Sequence, residues 1–385
     1  MRFLHTGDWH VGRTIRGRSR IDEFDKALEQ VVGIAKQEAV DCVLVAGDLH
    51  DQRAVTADAD RLIFQTFIHL YEAGIPVVVI PGNHDSAARL SAFAPLLERV
   101  GTHAVPRMRH PEHGGAVKIG SRGGSETANV ACLPFVSPRR FLDGTSEFQD
   151  LSIGYVNFDE GMGHLFDHFE DAFKTTDVNV VLGHLFVAGA QPSGTEREVT
   201  IGADYAVTSA RLPSTASYIA LGHIHKPQKV KGAAADTRYC GSLLQLDFGE
   251  RGQDKSVFVV DVAAGKPPKV TAVPIAGGKQ LVDVDTTLDQ LDTLAAKVGD
   301  AYLRVNLALD APVPGIADRV RDTLPNALDI RVVLPETESE REQISLRSLD
   351  PKSQFVSYYA AHHDAEPVDE LLAAFDRVYE EVTGS

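Results

Sequence analysis

Val77-Val78-Val79-Ile80 followed by Pro81-Gly82-Asn83-His84-Asp85 is the stretch from which the architecture can be read. A short β-branched run closing on Gly and then three polar residues reads as a buried strand that ends in a polar loop. Gly82 lets the backbone turn without a Cβ penalty, so an amide, an imidazole and a carboxylate in succession can address one place. That combination suits metal ligation and proton transfer better than packing. A helix-like segment follows from Arg89.

The same device recurs along the chain. Arg2-Phe3-Leu4-His5-Thr6 leads into Gly7-Asp8-Trp9-His10, and Cys42-Val43-Leu44-Val45-Ala46 into Gly47-Asp48-Leu49-His50-Asp51. Asn179-Val180-Val181-Leu182 closes on Gly183-His184, and Tyr218-Ile219-Ala220-Leu221 on Gly222-His223-Ile224-His225. Asp8 with His10, and His223 with His225, stand two apart, and alternate residues of an extended segment share a face. One such loop is weak evidence; five strand ends closing on Gly plus Asp, Asn or His predict a metal site. Between the first three lie apolar positions at helical spacing, Ile21, Phe24, Leu28, Val31, Val32 and Ala35, then an amphipathic stretch over residues 58–73. The alternation predicts a layered α/β sandwich with the site at the carboxyl ends of its strands.

Composition bounds the function. At 385 residues the chain is long enough for two or three domains. No apolar run approaches the roughly 20 residues that span a bilayer, and residues 1–10 hold no signal-peptide pattern. Cys42, Cys132 and Cys240 are odd in number and lie in strand-like runs, as buried reduced thiols of a cytoplasmic protein would. A formal charge of −16 excludes a uniformly basic surface. It is uneven: residues 336–385 carry 12 acidic and 4 basic side chains, half of the total.

Asp8-x-His10, Gly47-Asp48, Gly82-Asn83-His84-Asp85, Gly183-His184 and Gly222-His223-x-His225, in this order, resemble the calcineurin-like metallophosphoesterases. Arg238-Tyr239-Cys240-Gly241-Ser242 extends the likeness to the nuclease subunits of bacterial DNA break-processing complexes. The resemblance implies two divalent ions bridged by Asp48, with Asp8, His10 and His225 completing one and Asn83, His184 and His223 the other. Carboxylates, imidazoles and an amide without thiolate favour Mn²⁺, while accepting iron, zinc or cobalt. It assigns His84 to the transition state rather than to a metal; Asp85 would orient that imidazole or cap the following helix. His50 stands where relatives often carry an aromatic residue. It either adds a polar group near the metals or, the favoured reading, is a surface substitution.

Candidate DNA contacts are Arg13, Arg16, Arg18 and Arg20, then Arg139 and Arg140, then Lys226, Lys229 and Lys231. Each cluster could be a solvated loop, but their position beside the metal loops favours contacts to a phosphate backbone. Beyond residue 275 a Gly-marked linker precedes a β-α-β-α-β pattern over residues 276–335, a small α+β unit like the cap that helps hold DNA in this family. Residues 336–385 read as an acidic tether and two helices, about 353–362 and 367–382. The second carries Leu371, Leu372, Phe375, Val378, Tyr379 and Val382 on one face. Such a stripe needs a surface: an SMC-type ATPase partner, by the resemblance, or its own chain. No phosphate-binding Gly-x-x-x-x-Gly-Lys-Ser/Thr loop occurs, so ATP chemistry must come from a partner. The family also implies a homodimer and work at the nucleoid. Three functions stay in view: a DNA nuclease, a phosphoesterase on small esters or phosphoproteins, and a DNA-binding scaffold without turnover. The complete ligand set argues against the scaffold, and the added cap and tail argue against the small-ester enzyme.

Overall fold

The computed structural model describes residues 1–138, 141, 157–335, 350–363 and 365–383. Its first half is built as the periodicity predicts. Strand β1 (Arg2–Thr6) precedes helix α1 (Ile21–Gln37), and β2 (Cys42–Ala46) precedes α2 (Ala57–Glu72). Next come β3 (Val77–Ile80), α3 (Ala87–Glu98) and β4 (Thr102–Ala104). Thr56 and Ser86 cap α2 and α3 by accepting from Ala59 N and Arg89 N, which fixes where each polar loop ends. On α1 the predicted face buries Phe24, Leu28, Val31, Val32 and Ala35 against the sheet. Each large side chain there contributes roughly 1.5–3 kcal/mol relative to exposure.

Several elements carry no polar loop, and apart from the strand-like run around Cys132 the sequence reading passed over them. They are β5 (Ala116–Gly120), β6 (Thr127–Leu133) and α4 (Phe158–Ala172). Strands β7 (Val178–His184) and β8 (Tyr218–Gly222) were expected; the short β9 (Gln228–Lys229) and β10 (Thr237–Tyr239) follow. Two antiparallel additions, β11 (Ser256–Asp261) and β12 (Lys269–Pro274), return to the first sheet.

The strands form two six-stranded sheets, ordered β12-β11-β1-β2-β3-β4 and β9-β10-β8-β7-β6-β5. Phe3, Leu44, Val78 and Ile80 face Val130, Val180, Leu182 and Tyr218 in the layer between them, and Cys42, Cys132 and Cys240 are buried there as free thiols. Helices α1 and α2 cover the far face of one sheet and α4 that of the other, so the layers run α/β/β/α. Parallel pairing puts Ala46 beside Ile80 in one sheet and Gly222 beside His184 in the other. The loops after these strands therefore leave from the same edge of the sandwich.

A three-stranded parallel sheet follows, β13 (Leu281–Thr286), β14 (Tyr302–Ala308) and β15 (Ala327–Val333), with α5 (Leu291–Ala295) and α6 (Ile316–Thr323). It has its own core around Val305, Leu307 and Val320. It is fastened to the sandwich by Leu281 N donating to Gln245 Oε1 (2.8 Å) and by the Tyr302 hydroxyl donating to Glu23 (2.9 Å). Finally α7 (Pro351–His363) and α8 (Asp369–Thr383) pair with each other, Phe355 stacking on Phe375 at 4.6 Å. The expected stripe of α8 is thus partly covered by its own chain, while Val368, Val378 and Tyr358 remain exposed. The acidic tether expected over residues 336–342 lies outside the described residues.

Candidate metal centre

The five loops meet. Asp8, His10, Asp48 and His225 each offer a ligand atom within 4.8 Å of the others, all buried. His10 Nε2 and His225 Nε2 lie 3.0 Å apart. Asn83 Oδ1 lies 3.0 Å from His184 Nε2 and 2.9 Å from His223 Nδ1, and those two nitrogens are 3.3 Å apart. Asp48 Oδ2 stands between the groups, 3.5 Å from His10 Nε2 and 3.5 Å from His184 Nε2.

The outward-facing atoms of the histidines fix which nitrogen faces inward. His184 Nδ1 donates to Ala46 O (2.8 Å) and His223 Nε2 to Thr200 O (3.1 Å). His225 Nδ1 lies 2.6 Å from Thr195 Oγ1 and 3.2 Å from Glu250 Oε1. In each ring the remaining nitrogen therefore presents a lone pair to the centre, the tautomer a metal ligand requires. His10 Nδ1 is buried without a hydrogen-bond partner among the described residues.

Electrostatics point the same way. Burial pushes the carboxyls of Asp8 and Asp48 up from the ordinary range. Burial pulls His10 down to about 3 and His184 to about 4, and takes His223 well below its usual value. Burial also works against charge on His225, but Glu250 outweighs it and raises that imidazole. Two carboxylates and neutral imidazoles gathered out of water are costly until a cation joins them. The donor set fits divalent ions of borderline hardness.

The backbone is bent to make this possible. Asp8 (φ 46°), His10 (φ 49°), Asp48 (φ 52°) and His223 (φ 103°) all lie in the left-handed region that side chains avoid. Strain of that kind costs on the order of 1–3 kcal/mol per residue and survives where surrounding structure enforces it. The glycines allow the close approach. A Cβ on Gly82 would drive into the Asp48 carboxylate, and one on Gly222 into the carbonyl of Ala46.

His84 stands beside the centre, its ring 4.7 Å from that of His10. Its backbone N–H donates to Asp48 Oδ1 (2.8 Å) and its Nδ1 to Asp51 O (2.6 Å). Asp85 neither orients this imidazole nor caps α3, which Ser86 does. Its carboxylate instead takes the N–H groups of Gly82 (3.0 Å), Leu49 (3.1 Å) and His50 (3.0 Å), binding the second and third loops together. His50 is not a surface substitution either: it is buried, with Nδ1 3.2 Å from Asp85 and Nε2 3.2 Å from Asp60. An imidazole with two carboxylates to bridge has a reason to be inside.

The basic clusters divide. Arg13 reaches Asp51 (3.1 Å) beside the centre. Arg16 pairs with Asp329 (3.1 Å) and Arg18 sits over the Tyr302 ring, both touching the three-stranded unit. Arg20 is a correction: it is buried, held by Glu23 (2.8 Å) and Gln245 O, and cannot reach DNA. Lys226 lies against Gln191 and Lys229 pairs with Asp236 (2.7 Å). Arg139 and Arg140 lie outside the described residues.

Sequence reasoning missed Thr195, Glu196, Arg197, Glu250 and Lys255. Glu250 is fully buried and accepts from His225, Thr195, Ser242 (3.3 Å), Leu246 N (3.0 Å) and Lys255 (2.7 Å). Glu196 takes the backbone N–H of His225 (2.9 Å). The polar run Ser193-Gly194-Thr195-Glu196-Arg197 was the available signal, though it follows no strand-like run.

A four-layer sandwich with this loop constellation at one edge defines a metallophosphoesterase. The sequence profile described as calcineurin-like phosphoesterase matches residues 1–227, and the chain belongs to that family. A second profile, described as type 5 capsule protein repressor C-terminal domain, matches residues 279–363. The chain is similar to the SbcD component of the nuclease SbcCD of Bacillus subtilis (strain 168), 33% identical over 97% of each chain. It is also similar to the SbcD component of the same nuclease in Escherichia coli (strain K12), 29% identical over 90% of this chain and 88% of that protein. A dimetal phosphatase from Danio rerio superposes with a TM-score of 0.42 at 12% identity, over 72% of this chain and 99% of the other. No helix among the described residues is long and apolar enough to cross a membrane.

Proposed function

We propose that this chain is the nuclease component of an SbcCD-type complex, a two-metal phosphodiesterase acting as an exonuclease on duplex DNA ends and an endonuclease on single strands and hairpins. Asp48 standing 3.5 Å from a nitrogen of each ligand group is the observation that carries the two-metal reading. In it Asp8, His10 and His225 complete one ion's ligands and Asn83, His184 and His223 the other's, and Mn²⁺ is the ion best suited to the donors. Bound there, two divalent ions supply a nucleophilic water at neutral pH and offset charge on the phosphoryl oxygens. The chain's own part is positional. Thr200, Ala46 and Glu250 keep the lone pairs of His223, His184 and His225 inward, and Asp85 holds the second and third loops in register. His84, with Nδ1 spent on Asp51 O, presents Nε2 to the reacting phosphate or the leaving oxygen.

The partners belong to the same reading. An SbcC-type SMC ATPase would take the exposed apolar side chains of α7, α8 and the residue just before α8: Tyr358, Val378 and Val368. A second copy of this chain would cover Ile68, Tyr71 and Leu96 on α2 and α3, completing a heterotetramer that works in the cytoplasm on the nucleoid. The three-stranded unit would act as a DNA-contacting cap, giving domains over residues 1–275, 276–335 and 336–385. Incubation with Mn²⁺ and either end-labelled hairpin DNA or p-nitrophenyl phosphate esters tests the assignment. Cleavage of the hairpin far above the small esters is expected; hydrolysis of the esters with intact DNA would overturn it.

A further inference from the structure

An open cleft of about 650 Å³ lies against His84, lined by Arg13, Asp51, Arg53, Thr195 and Arg197 among others. Arg13 is committed to Asp51 at 3.1 Å. Among the described residues Arg53 and Arg197 have no carboxylate partner. Arg197 is exposed, and its Nη2 lies 3.5 Å from His84 Nδ1. That nitrogen carries the proton given to Asp51 O, so two donors face each other with nothing to share.

The segment that carries Arg197 is tied to the metal centre on both sides. Before it, the buried Glu196 carboxylate collects the N–H groups of Ser193 (2.9 Å), Gly194 (2.9 Å) and Thr195 (3.2 Å) as well as that of His225 (2.9 Å). After it, Thr200 donates to Arg197 O (2.8 Å) from its hydroxyl and offers its own carbonyl to His223. A loop anchored to two candidate ligand histidines thus holds, at a set place beside the catalytic imidazole, a guanidinium with no carboxylate partner among the described residues.

We propose that Arg197 binds the phosphate adjacent to the scissile one, seating the nucleic-acid strand for cleavage. A planar guanidinium offers paired N–H donors that match two phosphate oxygens, and Arg53 at the same cleft adds a second positive charge. Arg197 stands on the Nδ1 side of His84, whereas the reacting phosphate belongs on the Nε2 side. Its ligand is therefore the neighbouring diester, which a one-phosphate substrate lacks.

The inference rests on the nuclease reading above, and two arms separate them. In chelator, without metal, fluorescence anisotropy measures binding of a labelled DNA duplex with a single-stranded end. Arg197→Ala should weaken it about tenfold, the loss of one charge-assisted paired contact. It should also lower the slope of log K against log salt by about 0.9. Arg197→Lys should restore the slope but only part of the affinity. With Mn²⁺, Arg197→Ala should raise KM for DNA while kcat/KM for bis(p-nitrophenyl) phosphate and metal content stay within twofold of wild type. Unchanged DNA binding refutes the proposal, and so does a parallel fall on DNA and the small diester. Failure of the nuclease reading shows separately, as wild-type protein that cuts no DNA with Mn²⁺; the metal-free arm reads Arg197 in either case.

Discussion

Removing the Glu250 carboxylate should loosen the metal centre without touching a ligand. The side chain is fully buried, pairs with Lys255 at 2.7 Å and accepts from His225 Nδ1 at 3.2 Å. Burial opposes its charge, but His225 and Lys255 hold it well below the usual carboxylate range. Two costs of Glu250→Gln can be separated. Breaking a buried ion pair leaves Lys255 uncompensated, about 3–5 kcal/mol of stability. Losing the anionic acceptor of a ligating histidine weakens metal affinity roughly 10–100-fold, equivalent to about 1.4–2.7 kcal/mol. Adding Lys255→Met removes the orphaned charge, so the double variant should regain most of the stability yet keep the weakened affinity. Urea denaturation of the metal-free protein measures the first quantity and calorimetric titration with Mn²⁺ the second. A double variant that binds Mn²⁺ like wild type would refute the claim that Glu250 acts by orienting His225.

Three further outcomes are expected. His84→Ala should keep its metal content by elemental analysis and lose roughly 10²–10⁴-fold in turnover; metal lost with activity would make His84 a ligand. Burial holds His5 neutral, down to about 3, against an ordinary value near 6.5. Below pH 6.5 the unfolded chain binds the proton that the folded one refuses, so stability falls with pH down to about 3. At pH 5 the loss is about 2 kcal/mol, and a His5→Gln variant should show a correspondingly flatter acid limb in urea titrations. Gly222→Ala pushes a methyl group into the Ala46 carbonyl and should cost at least 1–3 kcal/mol, roughly the penalty of overpacking, read as a lowered denaturation midpoint.

What could be read in the chain was local. A β-branched run, a glycine and a polar residue are neighbours in sequence, so each of the five loops announces itself. The glycine is needed because the loops approach within contact of one another. Roles set by tertiary contact were hidden. Arg20 looked like its neighbours Arg13, Arg16 and Arg18, yet folding buries it against Glu23 beneath Tyr302. His50 and Asp85 seemed a surface residue and an acid–base partner until their loops came together as one hydrogen-bonded brace. Glu250 lies on a short 3-10 turn, where no periodicity marks a buried carboxylate. Arg197 was overlooked because its place beside His84 is set by contacts that its neighbours Glu196 and Thr200 make to His225 and His223. Strands β5, β11 and β12 went unseen because they end in ordinary turns, and β6 showed only as the apolar run around Cys132.

The candidate ligand donors are divided between the two halves of the sandwich. Asp8, His10, Asp48 and Asn83 follow strands of one sheet, whereas His184, His223 and His225 follow strands of the other. A bound ion would therefore act as a rivet joining two slabs made by remote parts of the polypeptide. Neither slab alone carries the full donor set. During synthesis the nascent chain would lack its full donor set until His225 had emerged and the two slabs had docked, which spares nearby nucleic acid from a half-made enzyme.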